Sequence, residues 1–249
     1  MTRKFLFVSI LFSLIALVAC NKSEQLKINN INDFAPLVIG KYITYQLDSL
    51  RFANNITAYD AVISYQIKQI VMDTLTDNLG RKGFSIRRYI RNSASDQWAP
   101  DNTFFAINTG RGYEFVENNF RYLKLTEPIK NGYSWKGNTF IDTQSAYSLV
   151  QYLDDWNYTY DSLNKPMHLG NFVLDSTLIV REKNDTIGFV SDSTFSEINF
   201  SVSNYGKGIG LVYHKFLHRE YQAPPPPYHL GDYGYKIGYG VTLTMIDHN

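Results

Sequence analysis

Lys236-Ile237-Gly238-Tyr239-Gly240-Val241-Thr242-Leu243-Thr244-Met245 alternates large apolar side chains with Lys, Gly and Thr without a break. Period-two alternation of this length is the signature of a β-strand with one packed face and one wet face. The same period recurs far upstream. Ile43, Tyr45 and Leu47 share one face of residues 41–47, and Ile63, Tyr65 and Ile67 share one face of residues 62–70. Composition agrees, because 19 Tyr and 16 Phe, with many Val, Ile and Thr, suit pleated surfaces.

Turn residues separate these runs. Asp77-Asn78-Leu79-Gly80 reads as a hairpin turn, and further breaks fall at Asn108-Thr109-Gly110, Glu117-Asn118-Asn119, Lys130-Asn131-Gly132, Lys183-Asn184-Asp185 and Asn204-Tyr205-Gly206. The regular spacing predicts an all-β chain: a single antiparallel meander sheet, curved like a half-barrel. A closed barrel and a β-sandwich are the alternatives. At most one short helix is expected, over Gln144–Asp155, where Ala146, Leu149, Val150 and Leu153 recur at helical spacing. Pro224 to Pro227 reads as a stiff loop between the last two strands. No linker divides residues 34–249, which are read as one β domain.

Several classes of function are excluded by composition. Lys and Arg (24) balance Asp and Glu (23), so no broad basic surface and no nucleic-acid partner are expected. The chain is 19% charged and 15% aromatic, which is not the composition of a disordered protein. The one cysteine, Cys20, rules out a disulfide framework and a Cys-rich zinc site.

Residues 1–19 read as a signal peptide. Arg3 and Lys4 precede an uncharged run from Phe5 to Ala19, whose helical length of about 22 Å is short of the bilayer core. Leu17-Val18-Ala19-Cys20 resembles the lipobox of bacterial lipoproteins. The resemblance implies cleavage before Cys20, a diacylglycerol on its thiol and an acyl chain such as palmitate on the new amino group. It further implies a membrane partner reached through the N-terminal lipid, with residues 20–33 forming the lipidated Cys and a flexible tether. Asn21 after the Cys points to the outer membrane of the cell envelope, on its periplasmic or its surface face. Pro36-Leu37-x-x-Gly40-x-Tyr42-x-x-Tyr45 and Gly208-x-Gly210-Leu211-Val212-Tyr213 are similar to a layout in uncharacterised Bacteroidetes-type envelope lipoproteins. That likeness implies a sheet similar to the half-barrels of lipoprotein carriers and brings no activity with it.

No catalytic constellation, metal site or cofactor site is read from the residues. His214 and His218 lie in a strand-like run, where four residues separate Cα atoms by about 13 Å, too far for joint chelation of one ion. Gly206-Lys207-Gly208-Ile209-Gly210 lacks phosphate-loop spacing and reads as a turn. Tyr152, Trp156, Tyr158 and Tyr160 are a candidate saccharide-stacking surface. Asp followed by Ser or Thr and an apolar residue or Thr occurs six times, against roughly one expected from composition. The pattern resembles the O-glycosylation sequon of exported Bacteroidetes proteins and nominates Ser49, Thr74, Ser162, Ser176, Thr186 and Ser193. The leading expectation is a non-enzymatic, lipid-anchored envelope lipoprotein that binds a partner protein, a lipid or a saccharide. The rival is a lipid-anchored glycan-processing hydrolase using paired carboxylates, from acids such as Asp154 beside Asp155, or Glu117 near Glu114.

Overall fold

The computed structural model describes residues 29–53, 60–188, 194–224, 227 and 234–249. Twelve strands make one antiparallel sheet: β1 (Tyr42–Arg51), β2 (Ala61–Thr76), β3 (Lys82–Arg91), β4 (Ala99–Asn108), β5 (Gly112–Glu117), β6 (Phe120–Thr126), β7 (Ser134–Lys136), β8 (Asn157–Leu169), β9 (Phe172–Gly188), β10 (Ser196–Gly206), β11 (Gly210–Gln222) and β12 (Tyr235–His248). The spatial order is β6-β5-β4-β3-β2-β1-β12-β11-β10-β9-β8-β7. Every pair of consecutive strands except β6 and β7 therefore lies side by side, and the first strand pairs with the last, from Ile43 opposite His248 to Arg51 opposite Tyr239. The chain is a meander, and its curvature carries it past a half-barrel to near closure. Only β6 and β7 remain as edges.

Aromatic side chains bridge that gap. The Leu123 N–H donates to the Gly137 carbonyl at 2.8 Å, and the Trp135 indole N–H donates to the Leu123 carbonyl at 2.8 Å. The Tyr160 hydroxyl accepts from the Thr126 N–H at 2.9 Å and donates to the Thr126 carbonyl at 2.7 Å. Trp135 packs on Tyr160 with ring centroids 4.6 Å apart. Gly137 is required here, since a Cβ at that position would lie 2.4 Å from the Tyr158 ring.

One end of the barrel has a floor. Helix α1 (Ile31–Phe34) is a single turn with a capping box, Asn30 accepting from the Asp33 N–H and Asp33 from the Asn30 N–H. Ile31 and Phe34 point inward and are buried with Phe104, Tyr113, Leu125 and Tyr205. The Gly208 N–H donates to the Asp33 carbonyl at 2.6 Å, and Lys207 Nζ lies 3.2 Å from the Asp33 carboxylate. These contacts replace the outer end of the expected tether: residues 29–33 are packed, so the folded body begins before Phe34. The rest of that segment, with Cys20 and the signal peptide, lies outside the described residues.

The expected helix over Gln144–Asp155 does not form. The segment is a series of turns ending in a 3-10 turn at Gln151–Leu153. Asp142 Oδ1 accepts from the Gln144 and Ser145 N–H groups, and Ser148 Oγ accepts from the Val150 N–H. The Asp142 bonds cap a helix start, but Ser148 diverts the Val150 N–H, a donor that the helix interior would need. Leu149, one of the supposed core positions, is 93% exposed. The hairpin at Asp77 is present, with the Gly80 N–H donating to the Asp77 carbonyl and φ +75° at Gly80. The break expected at Lys183-Asn184-Asp185 does not occur: β9 runs on through it, pairing these residues with Ser201, Phe200 and Asn199 of β10. Pro225 and Pro226 lie outside the described residues.

Phe34→Ala should lower the unfolding free energy by about 3–5 kcal/mol, because it empties a fully buried aromatic position in the floor. Leu149→Ala should change it by less than about 0.5 kcal/mol. Urea denaturation followed by tryptophan fluorescence measures both.

Candidate functional site

Alternation along the strands turns one side chain in two toward the barrel axis, and those side chains enclose a cavity of about 520 Å³. This is within the usual range for small-molecule sites. Ala35, Pro36 and Leu37, just after α1, form its base. Ile43, Leu47, Ile86, Ile90, Val241 and Leu243, from β1, β3 and β12, form an aliphatic wall. Phe115, Tyr122, Tyr152, Trp156, Phe216 and Tyr239 add rings, with Phe216 and Tyr239 centroids 5.0 Å apart. The lining residues Asn118 and Tyr239 are exposed, which places the mouth at the end opposite the floor.

A buried polar cluster faces this apolar interior. The register between β9 and β10 shifts so that Ser201 opposes Lys183 while Val202 opposes Arg181, leaving Glu182 with no residue across from it. Glu182 continues the inward alternation of Leu178 and Val180 and lines the cavity at 1% exposure. Its carboxylate accepts from Ser201 Oγ at 2.5 Å, from Ser203 Oγ at 2.8 Å and from Lys124 Nζ at 3.3 Å. The single Ser203 hydroxyl proton goes to Glu182, so the Ser203 oxygen accepts from His214 Nδ1–H at 3.0 Å.

The protonation states follow. Burial pushes the Glu182 carboxyl up, but Lys124, His214 and the two serine hydroxyls together hold it below the usual carboxylate range. Burial pushes His214 down to about 4, against the opposing pull of Glu182, so the ring is neutral at pH 7. Lys124 and Glu182 thus form a compensated pair with no net charge. At the mouth, Arg88 lies 3.7 Å from Glu117, whose carboxyl is pushed up by burial against the pull of Arg88 and Lys124.

This geometry does not make a nucleophile. In hydroxyl catalysis the histidine accepts the serine proton. Here Ser203 sits between Glu182 and His214, with its hydroxyl donating to the carboxylate and accepting from the imidazole. Among the described residues no group of three or more His, Cys, Asp or Glu side chains converges as a metal site. His214 and His218 both lie on β11, but His218 bonds Asn199 at 2.8 Å and stacks on Tyr152 at 3.9 Å. In the Gly206–Gly210 turn, the Lys207 and Gly208 N–H groups donate to the Ser176 and Asp33 carbonyls.

The nominated residues scatter. Tyr152, Trp156 and Tyr158 line the cavity instead of forming an outer platform, and Tyr160 is fully buried at the β6–β7 gap. The need to fill the barrel and close the sheet draws these rings inward. Asp154 is exposed and bonded to Thr143 Oγ1, remote in role from Glu117, which faces the cavity. Glu114 lies on the other face of β5, gripped by Arg81 at 2.8 Å and by Arg121. Of the glycosylation candidates, Thr74 and Thr186 are exposed, Ser162 and Ser176 are half-buried, and Ser193 lies outside the described residues. Ser49 lines the cavity, so a glycan there would have to fill the barrel interior and not the outer surface. Lys124, Glu182, Ser201 and Ser203 were not flagged by sequence reasoning. A signal existed in β10, where apolar Ile198, Phe200 and Val202 alternate with Asn199, Ser201 and Ser203, and it is the polar set that is buried. No known protein family, curated protein or solved structure matches the chain.

His214 loses stability in acid. Its folded pKa is about 4 against an ordinary 6.5, so between those values the unfolded chain binds the extra proton and stability falls as pH falls. His218 is lowered by burial too and acts in the same direction. His214→Gln should flatten this slope between pH 6.5 and 4 by up to about 3 kcal/mol, read from urea midpoints across that range. An unchanged slope refutes the assignment.

Proposed function

We propose that this is a non-enzymatic, lipid-anchored envelope lipoprotein whose barrel interior holds a small molecule. The observation that carries the binding reading is the cavity itself: floored by α1, open at one end, and lined by an aliphatic wall facing a satisfied polar cluster. Sites of this kind, mostly apolar with a few fixed polar groups, suit ligand retention. The anchoring reading rests on Leu17-Val18-Ala19-Cys20 behind an uncharged run. Two or three acyl chains suffice for stable attachment where one is marginal. The hydrolase reading fits less well. Glu182 is tied to two serines and a lysine, and Asp154 is on the outer surface.

Cys20→Ala should abolish labelling by an alkynyl palmitate analogue and leave an uncleaved or soluble product; undiminished labelling refutes lipidation. Val241→Trp should fill the cavity and eliminate co-purifying small molecules detected by native mass spectrometry, while a change confined to stability would count against the binding reading. The intact mass of protein from its native host should exceed the lipidated polypeptide by hexose-sized increments if the Asp-Ser/Thr sites carry glycans; a bare mass removes that proposal.

A further inference from the structure

The polar cluster constrains the ligand's charge, and this inference rests on the cavity-binding reading above. We infer that the barrel takes an uncharged, elongated amphiphile of the long-chain monoacylglycerol class, with its hydroxyl head at Lys124 and Glu182 and its chain along the β1–β12 wall. The apolar part is set by shape. Inward residues of β1 from Ile43 to Ser49 run about 20 Å along the strand, and Val241 and Leu243 of β12 extend the same greasy wall beside them. A compact saccharide would leave that wall uncovered, with apolar surface facing trapped water.

The head is set by electrostatics. Glu182 is already matched by Lys124, and its oxygens receive two serine hydroxyls. A ligand carboxylate or phosphate brought to Lys124 would compete with Glu182 and add an unmatched negative charge to a buried site. A ligand ammonium brought to Glu182 would do the converse. Burying an uncompensated charge is among the most unfavourable events in a protein interior. The other groups facing the cavity offer no relief: Lys41 is held by the Asn249 carbonyl at 3.0 Å, His214 by Ser203, and Arg88 is paired with Glu117 and Asp101 at the mouth. Hydroxyls, in contrast, can donate to a Glu182 oxygen or accept from Lys124 without disturbing the pair. Tyr122, beside Lys124 at 4.8 Å, and the Tyr152–Tyr239 hydroxyls add neutral partners.

The test uses full-length protein in its membrane and three photoreactive probes that share one diazirine-bearing acyl chain: a monoacylglycerol, the free fatty acid and the primary amine. After irradiation, labelled peptides are mapped by mass spectrometry. The monoacylglycerol should label interior positions of β1 and β12, such as Leu47 and Val241, and the acid and amine should not label them above background. Glu182→Gln frees the Lys124 charge and should switch labelling toward the fatty acid. Lys124→Met frees Glu182 and should switch it toward the amine, which keeps the test decisive if the first variant fails to fold. Interior labelling of the unaltered protein by the acid or amine as strong as by the glycerol ester overturns the charge selection but leaves the cavity reading intact. Absence of interior labelling by all three probes overturns both.

Discussion

The architecture depends on how β6 is joined to β7. A meander of twelve strands leaves two edges, and unpaired edge groups must be satisfied or covered. Here the strands do not meet in a ladder. A tyrosine hydroxyl takes both the donor and the acceptor of Thr126, and an indole N–H takes the carbonyl of Leu123. Each is a side-chain substitute for a backbone rung, held in place by stacking among Tyr133, Trp135 and Tyr160. Aromatic residues between 133 and 160 thus serve two ends: Tyr133, Trp135 and Tyr160 complete the wall, and Tyr152, Trp156 and Tyr158 line the cavity. Without that closure, the interior would open along its side, and the polar cluster on β9 and β10 would face water.

The interior shows an unusual division. Most of the lining is apolar, yet β10 turns its serines inward and leaves Phe200 and Val202 half-buried on its other side. That arrangement would be unfavourable if the hydroxyls were unpartnered. It holds because Glu182 accepts from two of them, Lys124 balances the charge, and the register shift sets the carboxylate where both serines reach it. A buried ion pair of this kind is weak evidence for added stability, since desolvation opposes the attraction. Its more useful property is a fixed polar feature on an otherwise non-directional surface.

Much of the fold is legible in the amino-acid order, and particular residues show why. Val241 to Met245 and Ile43 to Leu47 alternate cleanly because one face is packed, while Ile237 and Tyr239 continue the period at the exposed end of β12, and the turns at Asp77 and Gly206 carry the residues their geometry needs. The degree of curvature is not legible, because it depends on Tyr160 and Trp135 reaching strands distant in sequence. The 144–155 segment misleads for the opposite reason: its apolar spacing is helical, but Ser148 captures the Val150 N–H locally and Leu149 finds nothing to pack on. The site is the least legible part. Alternation says that one face of β10 differs from the other but not which face is inside, and although Glu182 continues the inward alternation of Leu178 and Val180, its charge argues against burial until Lys124, distant in sequence, is placed beside it.

The pairing of β1 with β12 joins positions at the two ends of the body; the Tyr42 N–H donates to an Asn249 side chain 207 residues away. Contacts of such long separation form slowly and late. Of the sheet's strands β12 is synthesised last, so a nascent chain has no neighbour for β1 other than β2 until β12 emerges. Until then it remains a set of hairpins with exposed edges, a threadable polymer and not a finished vessel.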